Sequence, residues 1–500
     1  MAQVPSGMPR RTVLGLGTAA GAAALLGAAA TGGPAFAGTV PTPVFDRSDL
    51  PQGLKGRALL PGDAGYADEV KTFNLNQTPH PGVIIAAACA RDVQAAVRLA
   101  AAKRAPVAVL ATGHQPSVPI EAGAVLITTR AMRGVTIQAR RRRAWVQAGT
   151  LWGQVVDESV KAGLAPLNGS TPTVGVVGYT LGGGLSPMLG RRYGYAADHV
   201  RSIEVVTADG RLRTVTAQSD RELFFGLRGG KSNFGVVTGL EFDLFPVTRF
   251  YGGAIFFDGT DAAKVLHAYR RWVRTVPESM SSSVALIRMP DLPAVPAPLR
   301  GRLVVSLRIA YLGSVASGTK LVKPLRAAAT VLIDGVQELP YSAFPAVHGD
   351  PTDPIPAYER TGLLRELSAG TVEELVAVAG PDAPFPLSAI EIRHLGGALS
   401  RQPCHPNAVS HRDAAFTFFM ATIGGPADAA AIRKAEAEAV RRLQPWSTGG
   451  MYVNFMNTED TAPDAVRHAY RPEVYRRLAA LKRRVDPHNM FRLNHNIKPA

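Results

Sequence analysis

Three glycine-bearing segments carry the residues with the widest chemical scope. The densest runs Gly169-Ser170-Thr171-Pro172-Thr173-Val174-Gly175-Val176-Val177-Gly178-Tyr179-Thr180-Leu181-Gly182-Gly183-Gly184, with five glycines between positions 175 and 184. Without Cβ atoms, such positions let backbone approach a flat or anionic ligand, and exposed N–H groups in the run can hold phosphates. The run is not GxxxxGK[ST], so it is no P-loop, and it does not follow the strand–GxGxxG–helix pattern of nicotinamide folds. The second segment is Gly113-His114, closing an apolar stretch. The third is Gly230-Lys231-Ser232-Asn233-Phe234-Gly235-Val236-Val237-Thr238, a glycine turn entering a strand. Taken singly, the glycine run could equally be a flexible turn, the histidine after glycine is more often structural, and the third segment says little.

The surrounding pattern supplies the elements that would position them. Val83-Ile84-Ile85 reads as a buried strand, Arg91–Ala105 as a helix with Val93, Val97 and Ala100 on one face, and Pro106–Ala111 as a second strand leading into Gly113-His114. Asp92 near the helix start suits the helix dipole. Thr136–Val146 reads as a hairpin tipped by Arg140–Arg143. Ser202–Val215 reads as another, turning on Asp209-Gly210, and Gly235–Phe245 as a strand ended by Pro246. Between 250 and 450, strands at Arg302–Tyr311, Ser388–Leu395 and Ala415–Ile423 alternate with helices such as Ala427–Leu443 and with proline-rich loops, one of them Pro381–Pro386. This predicts an antiparallel sheet with helices. A last helix, Pro472–Val485, carries Val474, Leu478, Leu481 and Val485 on one face.

Composition excludes several classes. The 500 residues are 46% hydrophobic, too apolar for a disordered chain, and two cysteines cannot make a disulfide framework or a four-cysteine zinc site. No His/Cys/Asp spacing suggests a metal site. The formal charge of +16 invites nucleic-acid binding. However, the densest basic block lies at a hairpin tip with only Trp145 nearby as a stacking partner. Residues 1–37 read as an export signal: a twin-arginine pair, Arg10-Arg11, an Ala/Gly/Leu run, and Ala35-Phe36-Ala37 as a cleavage pattern. The alternative is a membrane anchor, for which the Ala and Gly content is unfavourable. Cleavage would take the formal charge to +14, since Arg10 and Arg11 are the only charges removed. Export by this route implies a partner machinery for folded proteins, secretion, and no membrane attachment afterwards.

In this order and spacing, the three segments resemble the FAD-linked oxidases of the vanillyl-alcohol-oxidase (PCMH) type, in the berberine-bridge-enzyme-like branch. Ala197-Asp198-His199-Val200 through Asp209-Gly210 and the tail Asp486-Pro487-His488-Asn489-Met490-Phe491-Arg492 match further motifs. The resemblance implies an α+β fold: a two-lobed FAD-binding domain with an inserted substrate domain of antiparallel sheet plus helices. The implied divisions are 1–37 signal, 38–250 FAD domain, 251–450 substrate domain and 451–500 a segment returning to the FAD domain. It also implies FAD bound covalently through His114. Gly113 and Gln115 match the pyrophosphate loop. Thr173, Val174, Gly175, Gly178, Tyr179, Gly182 and Gly183 match the wall against the flavin, Gly235 and Val237 the adenine side, and Asn494 and Asn496 the returning tail. Thr171 stands where bicovalent members have cysteine, and Cys89 and Cys404 lie in other segments, which leaves a single flavin bond. Leu110-Ala111-Thr112 lacks the usual arginine of the pyrophosphate loop, and Ser186 replaces a common glycine.

Oxidation of a hydroxyl group requires a base and a carbon held beside the flavin. The resemblance implies Tyr452 and Tyr193 as catalytic candidates. Either would need a cationic or hydrogen-bonding environment to lower a phenol pKa of about 10. Phe455 stands where some members carry a further tyrosine. His394, His411 and Arg412 match strand positions facing the substrate, and Val174 matches a position where a small residue accompanies reaction with oxygen. The expected activity is oxidation of a sugar, oligosaccharide or secondary metabolite, with small-molecule substrate and oxygen as partners and peroxide as product. Oxidative cyclisation is the enzymatic alternative. A basic binding protein for anionic polymers on a vestigial flavin fold is the alternative from another class.

Overall fold

A computed structural model describes residues 42, 44–115, 117–384 and 387–500. The expected signal at 1–37 lies outside the described residues. Strands β1 (Arg57–Leu59), β2 (Val83–Ala86), β3 (Val107–Leu110) and β4 (Val125–Thr128) form a sheet in the order β1-β2-β4-β3, with β2, β4 and β3 parallel. Both faces of its centre are covered, which explains the near-continuous apolar runs at Val83–Ala86 and Val125–Ile127. The crossover from β2 to β3 is the helix Ala90–Lys103, whose Val93, Ala96, Val97 and Ala100 are buried. Asp92 does more than face a dipole. Its carboxylate accepts the backbone N–H of Lys55, Gly56 and Ala88 at 2.8–2.9 Å, tying the preceding loop to the helix start.

A second sheet contains β5 (Val135–Gln138), β6 (Arg143–Gln147), β7 (Val200–Val206), β8 (Leu212–Thr216) and β9 (Val236–Asp243), all antiparallel in the order β5-β6-β9-β7-β8. Its core is completed by the helices Trp152–Val160, Val176–Leu181 and Pro472–Val485. The expected two-residue turn at Asp209-Gly210 is longer. Thr207–Arg211 connects β7 to β8, and the Asp209 carboxylate accepts from Thr207 Oγ1, the Arg211 N–H and the Arg213 guanidinium.

The third sheet lies in the middle of the chain. Its strands are β10 (Arg249–Asp258), β11 (Met280–Arg288), β12 (Leu303–Tyr311), β13 (Val331–Asp334), β14 (Gln337–Pro340), β15 (Ala357–Leu364), β16 (Ala389–His394) and β17 (Phe416–Ile423). The order is β13-β10-β12-β11-β16-β17-β15, with β14 also on β10, and every pairing is antiparallel. Helices Ala262–Trp272, Val315–Arg326, Ala369–Ala379 and Ala429–Leu443 cover one face, burying Val284, Leu307, Ile390, Ile392 and Phe418. Strand alternation then sends Ser281, Ser283, Arg308, Glu391 and Arg393 to the opposite face.

The tail is woven into the first two sheets. The N–H of Val107 on β3 donates to the carbonyl of Met490 at 3.0 Å, and Asn233 takes the N–H of Ile497 while donating to the carbonyl of His495. Buried Lys482 pairs with Asp486 at 2.8 Å. Cys89 and Cys404 are both free. No helix among the described residues is long and apolar enough to cross a membrane, and among them no group of His, Cys, Asp and Glu could hold a metal ion.

Candidate active site

One cavity of about 330 Å³ is lined by all three glycine-bearing segments and by the returning tail. Its walls include Gly113, His114, Gln115, Val174, Gly175, Gly178, Tyr179, Gly235, Val237, Tyr452 and Asn494 from the sequence expectations. Gly113 has φ +71°, and a Cβ there would stand 2.7 Å from the Cα of Thr72, so glycine is required for the turn that presents His114. At Gly178 a Cβ would meet nothing within 4 Å and would project into open space.

His114 is fixed on both faces of its function. Its ring stacks on Phe73 with centroids 4.0 Å apart, and Nε2 lies 3.3 Å from Thr173 Oγ1. Thr173 in turn meets Thr171 Oγ1 at 3.2 Å. Burial pushes the imidazole pKa down to about 4, so the ring is neutral at pH 7. Thr173 therefore orients the histidine; it is not part of the cavity wall.

Lys231 was not singled out from sequence. It has φ +52°, and its ammonium donates to Gln115 Oε1. Gln115 Nε2 donates onward to the carbonyls of Val453 (3.0 Å) and Met456. Among the described residues no carboxylate pairs with Lys231, which is enclosed by protein except toward the cavity. Burial alone lowers its pKa to about 7. His495 beside it is held neutral, lowered to about 4 by burial and then by Lys231.

The cavity is also lined by Tyr179, Leu185, Arg393, Tyr452, Asn454 and Phe455. Asn454 Nδ2 donates to the Tyr179 carbonyl at 2.7 Å and lies 3.3 Å from Tyr452 Oη. Burial, with Tyr195 adding to it, raises the Tyr452 pKa far above that of a free phenol. No cationic side chain among the described residues offsets that burial. Tyr452 thus holds its proton.

Several expected residues lie elsewhere. Tyr193 packs on Phe245, centroids 4.1 Å apart, and does not reach the cavity. Gly182 and Gly183 also miss the wall: a Cβ at Gly182 would stand 1.8 Å from Asn454 Oδ1, and one at Gly183 3.3 Å from the Tyr452 ring. They make room for the segment 452–454 rather than for a ligand. Asn496 is off the wall, its Oδ1 buried without a partner. His411 and Arg412 are on a loop, not a strand. His411 Nε2 meets the His468 carbonyl at 3.0 Å, and Arg412 is a buried ion pair with Asp198 at 2.6 Å. Ser186 is buried, its Oγ accepting from the Leu189 N–H. His394 ends β16 and accepts from Arg191 at 2.9 Å in a small adjoining cavity. The residue on that strand that reaches the main cavity is its neighbour, Arg393. The Ile390/Ile392 alternation carried that signal.

The cavity fits FAD by the chemistry of its donors. It offers side-chain-free wall at Gly175 and Gly178, apolar surface at Val174 and Val177, a lysine without counter-charge, and buried Asn494 with Oδ1 lacking a partner. Comparison with known proteins agrees. The family model described as "FAD binding domain" matches residues 81–216, and "Berberine and berberine like" matches 451–498. The chain is 28% identical to (R)-6-hydroxynicotine oxidase of Paenarthrobacter nicotinovorans over 467 residues, covering 90% of this chain and 98% of the relative. Among solved structures, 6-hydroxy-D-nicotine oxidase from Arthrobacter nicotinovorans superposes with a TM-score of 0.78 at 26% identity, covering 90% of this chain and 99% of the other. A chitooligosaccharide oxidase shares the fold at TM-score 0.72 and 22% identity, covering 89% and 98%.

Proposed function

Because the chain belongs to the berberine-bridge-enzyme-like FAD-linked oxidoreductases, we propose that it oxidises a hydroxyl-bearing small molecule, a sugar, oligosaccharide or secondary metabolite, with oxygen as acceptor and peroxide as product. The observation that carries this reading is one cavity lined together by Lys231, which has no carboxylate partner among the described residues, by a glycine wall, and by Tyr452 and Asn454. Bound FAD supplies a hydride acceptor.

The residues divide the remaining work. Neutral His114, with Nε2 directed to Thr173, keeps Nδ1 free to be the single covalent tether. Lys231 meets the diphosphate charge that the missing arginine would otherwise meet. Tyr452 Oη, carrying its own proton, positions the substrate hydroxyl, whose proton passes out to solvent as the hydride leaves the carbon, while Asn454 holds the phenol in place. Phe455 and Leu185 exclude water there. Small Val174 leaves space for oxygen on the wall.

The test is a panel of hydroxyl substrates read by peroxide release in air and by anaerobic bleaching of the protein's yellow colour. Colour that remains in the acid-precipitated protein marks the covalent tether. A colourless protein that binds nucleic acid in a salt-dependent way would overturn the reading. We also propose export through Arg10-Arg11. Replacing both with lysine should leave the precursor in the cytoplasm, and normal export of that variant would refute the route.

A further inference from the structure

The ring that stacks on His114 belongs to a segment bonded to two sheets. Phe73 lies nearly parallel to the imidazole, at an interplanar angle of 15°. Its N–H donates to the carbonyl of Gly113, beside the histidine, at 3.1 Å, and its own carbonyl accepts the N–H of Ile355 at 3.0 Å. Ile355 leads into β15, and Leu75 donates its N–H to the Ile355 carbonyl at 3.0 Å. Asn74 meets the edge of β15 as a further strand would. Its Nδ2 donates to the carbonyl of Ala357 at 2.8 Å, and its Oδ1 accepts the Ala357 N–H at 3.2 Å. Asn76 Nδ2 adds a bond of 3.0 Å to the carbonyl of Gly424, just past β17. A segment held by the histidine's loop on one side and by the third sheet on the other thus carries the ring laid on the histidine.

That ring does two things to the imidazole. It fixes the tilt that Thr173, touching only Nε2, leaves open. It also keeps water off one face, and burial is what holds this histidine neutral. Hydrogen bonding to Thr173 and the charge of Asp350, in the loop leading to Ile355, both favour the protonated form. Loss of the Phe73 ring therefore moves His114 in one direction, toward protonation.

Resting on the proposed tether at His114, we propose that Phe73 is a positioning residue for the histidine–flavin bond, aimed by the third sheet, so that His114 is ready to react only once that sheet is seated. The bond forms between Nδ1 and a methyl carbon of the flavin. One C–H of that methyl group and the Nε2–H break, both protons and the electron pair pass to oxygen, and peroxide leaves. A protonated imidazole has no lone pair to give, and a tilted one misses the carbon.

The full-length protein, produced in a flavin-starved host and supplied with saturating FAD in air, reports the bond as flavin fluorescence that survives denaturing electrophoresis. In Phe73→Ala the histidine approaches the free-imidazole pKa of about 6.5, so relative to wild type its tethering should be about tenfold slower at pH 5.5 than at pH 8. Phe73→Trp should restore the wild-type profile. Asn74→Ala keeps the ring but unties Ala357, and should slow tethering several-fold at either pH. Melting and total FAD bound, tethered or not, show whether each variant is folded, and Asn74→Ala carries the decision if Phe73→Ala is not. A wild-type rate in either folded variant, or a Phe73→Ala deficit that is equal at both pH values, overturns the proposal and leaves the tether standing. Wild-type protein with no surviving fluorescence overturns both.

Discussion

Two cations on the cavity wall are held in different ways. Lys231 has an amide oxygen for a partner and, among the described residues, no carboxylate. Arg393 shares Glu391 with Arg308. On the proposed reading, bound FAD would supply the counter-charge that Lys231 lacks, whereas the protein itself already neutralises Arg393 in part.

The comparison breaks most completely at His114. His114→Ala should release all colour on acid precipitation, and colour retained in the precipitate would remove His114 as the tether. In that untethered background Lys231 becomes measurable. Lys231→Met should weaken FAD binding by about tenfold or more, of the order of one buried charge-assisted contact. The pH dependence has a definite sign. The Lys231 pKa is about 7 without a counter-ion and rises when an anion binds. Affinity should therefore be full below pH 7 and decline as pH rises above it, and Lys231→Met should flatten that profile. A flat profile with lysine present would place the diphosphate elsewhere.

Tyr452→Phe should slow anaerobic flavin reduction by about 10–100-fold while changing KM by much less. Near-normal reduction would leave the phenol a packing group. The smallest effect is a control. Glu436 is fully buried on Ala429–Leu443, both carboxylate oxygens lack partners, and burial raises its pKa to about 7. Its raised pKa means stability is highest when it is protonated and is lost as pH rises through 7. Glu436→Gln should therefore raise Tm at pH 8 and have little effect at pH 4.5, a difference worth of order 1–3 kcal/mol.

Legibility in the sequence followed burial contrast. The buried strand at 83–86, the helix at 90–103 and the helix at 472–485 announce themselves through apolar spacing, and the glycine segments through Gly113 and Gly175. β13 and β14 do not, because these short strands are mostly open to solvent and lack alternation. The expected residues that lie off the main cavity are of two kinds. His394 for Arg393 is a shift of one residue, which on a strand reverses the face. Which face is covered was decided by helices far away in the chain. His411-Arg412 reads as part of a strand because nothing local reveals that Arg412 is claimed by Asp198. Lys231 sits among glycines and asparagine in a turn, and only the return of residues 453–456 onto Gln115 places it inside a cavity.

That return also sets a schedule. Gln115 bonds carbonyls at Val453 and Met456, 338 and 341 residues further along, and the edge of β3 is closed by Met490. While the ribosome is still adding the third sheet, the first two sheets have neither floor nor edge; the floor arrives with residues 453–456 and the edge only with Met490. The first two sheets thus wait on the third, and the cavity between the glycine segments is closed late in synthesis.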